Sequence, residues 1–194
     1  MNLSNKGINE LKSYESLRLS PYLDAAGKLT IGYGHKILSN ESYLLTGITK
    51  AVAEDLFFKD VNEAARAVNA SITIPVSQDQ FDSLVSLAYN IGSSAFSTSV
   101  LVDLINQRAA WLDIYNRWIT KYITVKKDGV NVFNSGLQSR RVKEATQFVK
   151  ELQPVYANSP GLNITPRGEL LKVAGLALLA VLLSDTKYFR TARL

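Results

Sequence analysis

At residues 18–35 the hydropathy pattern of this chain stops being helical. They read R-L-S-P-Y-L-D-A-A-G-K-L-T-I-G-Y-G-H, short extended pieces with Ala25-Ala26-Gly27 as a turn and residues 28–31 as a β-rich return. Such pieces can form an antiparallel sheet of two or three strands. Beyond Ser39 the apolar residues recur at helical spacing almost throughout. A small sheet set between one helix and a long run of helices predicts an α+β fold with a sheet lobe and a mainly helical lobe. At 194 residues, 46% hydrophobic and 20% charged, the chain can bury a core for both.

The helices carry their own punctuation. Ser4 or Asn5 can cap a first helix whose apolar stripe runs Ile8, Leu11 and then Glu15. A short helix at 41–45 stops at Gly47, and Thr49 caps a long one running to about Asn69. Its inner faces should hold Val52, Leu56, Phe57, Val61, Ala64, Ala65 and Val68. A helix of that length is about 30 Å long, enough to join two lobes. Ser77 and Gln80 form a capping box ahead of Phe81, Leu84, Val85 and Ala88, with Gly92 past the end. Segments 96–107, 111–123 and 137–152 read as further helices, with Asp128-Gly129 as a hairpin-like turn. Trp111 and Trp118 are expected in the core, and Arg141, Ala145, Phe148, Val149 and Leu152 share one side of the last helix.

Composition narrows the chemistry. The chain has no cysteine, which excludes disulfides, thiol catalysis and cysteine-ligated zinc. One histidine makes a multi-histidine metal site or a Ser-His-Asp enzyme a poor fit. Carboxylates remain. Glu15, on the buried edge of the first helix near its C-terminus, is expected in a desolvated setting that favours the neutral acid. Asp24, at the turn, is expected to be solvated and ionised. With the Thr30 hydroxyl on the returning strand, two acids in contrasting environments are the minimal equipment for hydrolysing a glycosidic bond. His35, after a strand, reads as structural support.

The basic excess lies in the tail. Residues 161–194 carry five basic and two acidic side chains out of a net charge of +5 for the whole chain. Aromatic residues do not interleave with the basic ones, so no nucleic-acid partner is expected. Met1 to Glu10 contain no apolar core, which predicts synthesis in the cytoplasm without a signal peptide. Asn158-Ser159-Pro160-Gly161 reads as a linker, dividing the chain into a body (1–153), a linker (154–164) and an apolar, basic helical tail (165–194). The run V-A-G-L-A-L-L-A-V-L-L at 173–183 is shorter than the roughly 20 residues of a spanning helix. Three readings of the tail stay open: a helix docked on the body or on another copy, a membrane-surface element, or a tether to a larger assembly such as a phage particle.

Together these motifs resemble the phage-type lysozymes, the glycoside hydrolase family of the phage T4 and lambdoid P22-like endolysins. The resemblance rests on E-x8-D-x5-T at Glu15, Asp24 and Thr30, I-G-Y-G-H at 31–35, Q-F-D-S-L-V-S-L-A-Y-N-I-G at 80–92, F-S-T-S-V-L at 96–101 and G-L-Q-S-R-R-V-K-E at 136–144. It implies a lysozyme-like fold with the saccharide cleft between the lobes. It implies that Glu15 protonates the glycosidic oxygen, Asp24 activates a water and Thr30 positions it, with inversion at the anomeric carbon and carboxyl groups about 6.5–9.5 Å apart. No metal or cofactor would be required. Lys36, Tyr89, Asn90 and Ser99 match positions that line the family's cleft, and Tyr33 either stacks on a sugar or fills the lobe. Arg140 and Arg141 would be structural or solvated, or contact an acidic peptide stem. The substrate implied is peptidoglycan, cut between N-acetylmuramic acid and N-acetylglucosamine, by an endolysin that reaches the wall in the periplasm through a holin-type pore. The alternative is a lysozyme-fold binding or membrane-perturbing protein that acts through its tail.

Overall fold

The structure, a computed structural model, describes residues 1–24, 27–127 and 129–152. The Asn158–Gly161 linker, the apolar run and the tail therefore lie outside the described residues, as do Ala25 and Ala26 of the first turn.

Helix α1 (Asn5–Tyr14) starts at Ser4, whose side chain accepts from the Gly7 N–H. It leads into an antiparallel sheet, β1 (Arg18–Leu23), β2 (Leu29–Gly32) and β3 (His35–Lys36), in that spatial order. A 3-10 turn (Ser42–Thr46) ends at Gly47, which sits at φ +94° as a glycine can and most residues cannot. Thr49 then caps α2 (Lys50–Ser71) by accepting from the Val52 N–H. The capping box at Ser77 and Gln80 is formed and opens α3 (Gln78–Ile91), which Gly92 terminates.

Helix α2 joins the lobes by sharing its buried face among three clusters. Near its start Ala53, Phe57 and Val61 pack with Leu11 and Tyr33, while Leu56 packs with Ile31 and Leu44. Near its end Ala64, Ala65 and Val68 join the large core built on α3, α6 and α7, with Trp118, Tyr115 and Phe148 at its centre. Lys12 ties α1 to this helix: it pairs with Glu54 and lies over the Tyr33, Phe57 and Phe58 rings at 5.3, 5.0 and 5.3 Å.

Three expectations change. Val52 is exposed rather than inward, while its neighbour Ala53 takes the buried position in the first turn of α2. The segment expected as one helix over 96–107 is two, α4 (Ser93–Ser97) and α5 (Val100–Asn106), because Ser99 turns extended and caps the second by accepting from the Val102 N–H. After α6 (Trp111–Thr120), the expected turn proves to be a full hairpin of β4 (Thr124–Lys127) and β5 (Val130–Phe133), in register from Thr124 opposite Phe133 to Lys127 opposite Val130. Helix α7 (Ser135–Val149) follows, capped by Asn134.

Candidate active site

Glu15 is the C-cap of α1. The backbone turns extended there (φ −108°, ψ 132°), and its N–H bonds the Lys12 carbonyl at 3.2 Å. This lifts the side chain off the helix and toward α7. Arg140 Nη1 donates to Glu15 Oε1 at 2.7 Å across 125 residues of sequence. The apolar, desolvated setting expected for Glu15 is thus replaced by an ion pair. The other oxygen, Oε2, faces Gly34, where an added Cβ would stand 3.6 Å from it. Gly34 has φ +94° and leaves that side of the acid uncovered by any side chain of its own.

Arg140 is itself fixed. Its Nε donates to Glu144 Oε1 at 3.0 Å, its Nη2 donates to the Ser86 carbonyl and hydroxyl at 3.1 and 3.3 Å, and its guanidinium lies 4.8 Å over the Tyr14 ring. Glu144 is the hub. It also accepts from Ser86 Oγ at 2.6 Å, Trp118 Nε1 at 3.2 Å and Arg141 Nη2 at 3.3 Å. Arg141 Nη2 reaches on to Asn90 Oδ1 at 3.0 Å. Burial of the Arg141 guanidinium pulls its pKa down to about 10, against the opposing pull of Glu144. Arg140 and Arg141 are 5% and 0% exposed, so neither is available to a peptide stem. They form a buried ion-pair network with Glu144 and Glu15.

Asp24 and Thr30 come from the sheet and its first turn. Asp24 follows β1; its N–H bonds the Lys28 carbonyl at 2.9 Å, and its Oδ1 accepts the Lys28 N–H at 2.8 Å. Thr30 lies on β2, buried, its hydroxyl donating to the Lys28 carbonyl at 2.9 Å. In the β1–β2 register Tyr22 stands opposite Thr30. Alternation along the strand puts Tyr22 and Asp24 on one face, and cross-strand pairing puts Thr30 there too.

The remaining expected contacts divide. Lys36 is exposed on β3. Tyr89 is half-buried; its hydroxyl donates to the Tyr33 carbonyl at 2.7 Å and, through burial first and then Glu15, is held well above the usual phenol range. Asn90 is half-buried and orients Arg141. Tyr33 fills the lobe: it is 8% exposed, its ring is 5.3 Å from Phe57, and its hydroxyl donates to Glu54 at 2.9 Å. It has no ring face left for a sugar. Ser99 is likewise buried, its side chain accepting the Val102 N–H as the cap of α5. His35 is structural support, as its position suggested. Nδ1 faces Asp60 Oδ2 and Nε2 faces Glu41 Oε2, both at 2.9 Å. Among the described residues no group of three or more His, Asp or Glu side chains is disposed to hold a metal ion, and no helix is long and apolar enough to cross a membrane.

The phage lysozyme family matches this chain over residues 12–144, from just before Glu15 to Glu144. The chain belongs to the phage lysozyme family. An endolysin of Bacillus phage B103 is 36% identical over 155 residues, covering 77% of this chain and 54% of its own length. The chain spans about half the length of the Bacillus phage relatives it matches. Among solved structures, the endolysin from Escherichia coli O157:H7 phage FAHEc1 aligns with TM-score 0.65 and 32% identity over 79% of this chain and 97% of that one. The muramidase domain of SpmX from Asticaccaulis excentricus aligns with TM-score 0.64 and 29% identity over 76% and 97%. The α+β architecture is therefore the lysozyme fold.

Proposed function

We propose that this phage lysozyme is an endolysin that hydrolyses the β-1,4 bond between N-acetylmuramic acid and N-acetylglucosamine in peptidoglycan, lysing the bacterial host. The observation that carries the reading is the division of Glu15: Oε1 is held by Arg140, and Oε2 is left beside Gly34 to face a substrate. A single oxygen is thereby assigned to carry and deliver the proton. Glu15 protonates the glycosidic oxygen as the bond to the anomeric carbon breaks. A water attacks that carbon from the far side and gives its proton to Asp24, so the configuration inverts. Thr30, whose proton is committed to the Lys28 carbonyl, offers that water an acceptor oxygen. The products are two shortened glycan chains, one with a new reducing end, and the proton on Asp24 returns to Glu15 through solvent. Lys36 and Asn90 remain the candidate glycan contacts at the rim, and the wall is reached after release through a holin-type pore.

The test is Glu15→Gln assayed for reducing ends released from purified peptidoglycan and for lysis of intact cells. Hydrolysis should fall by about three orders of magnitude or more, since the variant keeps the shape of the acid and loses its proton. Unchanged release would refute the assignment; lost hydrolysis with retained killing would transfer the activity to residues outside the site. Proton NMR of the first product should show the inverted anomer.

A further inference from the structure

The catalytic face of the sheet carries one more polar group than the proposed mechanism uses. Tyr22 stands opposite Thr30, two residues before Asp24, with all three on the same face. Its ring is clamped from one side by Arg18, whose guanidinium lies 4.6 Å from the ring centroid. The side chain is half-buried. Burial raises its hydroxyl above the usual phenol pKa, Arg18 pulls it down, and the charges of both Glu15 and Asp24 reach it and raise it further. It therefore stays a protonated donor throughout the neutral range. Among the described residues this hydroxyl has no hydrogen-bond partner, whereas the neighbouring hydroxyls of Thr30, Tyr33 and Tyr89 are each spent on a protein acceptor. A phenol held in place by its ring, lying within the field of both acids and left with an unspent donor, is built to meet something that enters between them.

We infer that Tyr22 is a substrate-binding residue, its hydroxyl donating to an oxygen substituent of the sugar ring that sits between Glu15 and Asp24. This rests on the glycosidase reading of the site. Arg18 acts through Tyr22 as a positioning residue, restricting the ring to the orientation that presents the hydroxyl to the cleft. Because the bond is made to the ring undergoing reaction, it should tighten as that ring distorts and charge develops, and so act on kcat more than on KM.

Tyr22→Phe removes the oxygen and keeps the ring and the Arg18 clamp. On purified peptidoglycan its kcat/KM should fall about tenfold, mostly in kcat. Its thermal midpoint should stay within about 2 °C of the unaltered protein, since no protein hydrogen bond is lost. Glu15→Gln, run in parallel, separates the failures. If Glu15→Gln is inactive and Tyr22→Phe keeps kcat/KM within about twofold of the unaltered protein, the role of Tyr22 is overturned and the glycosidase reading stands. If Glu15→Gln hydrolyses normally, both fall. A tenfold loss accompanied by a drop of more than about 5 °C in midpoint would assign Tyr22 a purely structural role and overturn the inference.

Discussion

Replacing Arg140 with Gln tests the central electrostatic claim, that Glu15, the proposed acid, is held by a buried ion-pair network. Arg140 and Arg141 face the carboxyl groups of Glu15 and Glu144, with side-chain exposures of 6%, 0%, 18% and 3%. Removing one guanidinium leaves a carboxylate uncompensated. Arg141, Ser86 and Trp118 continue to hold Glu144, so the stranded group is Glu15. Breaking a buried pair by deleting one partner costs about 3–5 kcal/mol. Glu15 retains some contact with water, which places the cost at the low end, ~3 kcal/mol. For a body of this size that lowers the thermal midpoint by roughly 10 °C at about 2–4 °C per kcal/mol. The assay is urea unfolding of four proteins: the unaltered chain, Arg140→Gln, Glu15→Ala and the double variant. Deleting Glu15 first removes the charge that Arg140 neutralises, so the two changes should couple by ~1–3 kcal/mol. Additivity within about 0.5 kcal/mol would refute the argument, because it would mean that Glu15 and Arg140 are near each other without depending on each other.

Stability against pH should peak between about 4.5 and 6.5, set by the small-lobe cluster. Only an imidazolium can donate to Asp60 and Glu41 at once, and the hydrogen bond to Asp60 is the largest of the causes that raise His35 above its ordinary 6.5. Its contribution is complete below 6.5 and is lost as pH rises through the raised folded value. Burial pushes Glu41 up, but His35, the Leu38 N–H and Lys59 outweigh it and hold Glu41 at about 2. Its contribution, ~3 kcal/mol, is present above 4.5 and is lost as pH falls toward 2. Calorimetry across pH 2–9 with His35→Asn should flatten the alkaline limb; an unchanged limb would contradict the assignment. In Gly7→Ala the new Cβ would stand 2.6 Å from Leu3 Cδ1 and 2.8 Å from Asp82 Cγ, so Asp82 must move off Ser4, whose N–H it accepts at 3.1 Å. We expect a loss of about 1–3 kcal/mol in urea unfolding and weaker hydrolysis, because α1 carries Glu15; full stability would show that the cap relaxes freely.

What could be read in the sequence was what is decided locally. The caps at Ser4, Thr49 and Ser77, the stops at Gly47 and Gly92 and the inward face of α2 depend on residues within a turn of one another. The placement of Asp24 at a turn and of Thr30 on the returning strand was legible for the same reason, since a turn and its return strand are local. The environment of Glu15 was missed because its partner lies 125 residues away. Arginine is a surface residue by habit, so Arg140 and Arg141 read as structural or solvated, or as ligands for a peptide stem, with no buried partner named. A signal did exist: Arg141 falls on the same side of α7 as Ala145, Phe148 and Val149, and a charge on an apolar face needs a buried partner, which Glu144 supplies from three residues on. The hairpin was half-visible. T-V-K-K before Asp128-Gly129 and V-N-V-F after it alternate as strands do, but only the turn between them was read.

The site draws on three separate parts of the chain, and they do not depend on one another equally. Asp24, Tyr22 and Thr30 share one local sheet face, closed by contacts within a dozen residues. Glu15 reaches its place only when α1, α3 and α7 are docked together, because Arg140 needs Ser86 from one helix and Glu144 from its own before it can hold the acid. Asp24 and Thr30, the proposed base and water-holding hydroxyl, therefore belong to the small lobe, and the orientation of Glu15, the proposed acid, depends on the large one. A perturbation that loosens α7, anywhere from Ser135 to Val149, should release Glu15 from its fixed orientation while the sheet remains formed. Loss of hydrolysis should then precede loss of the small lobe as denaturant is added. The fixed orientation of Glu15 is thus limited in stability by the last described helix rather than by the sheet that carries Thr30 and leads into Asp24.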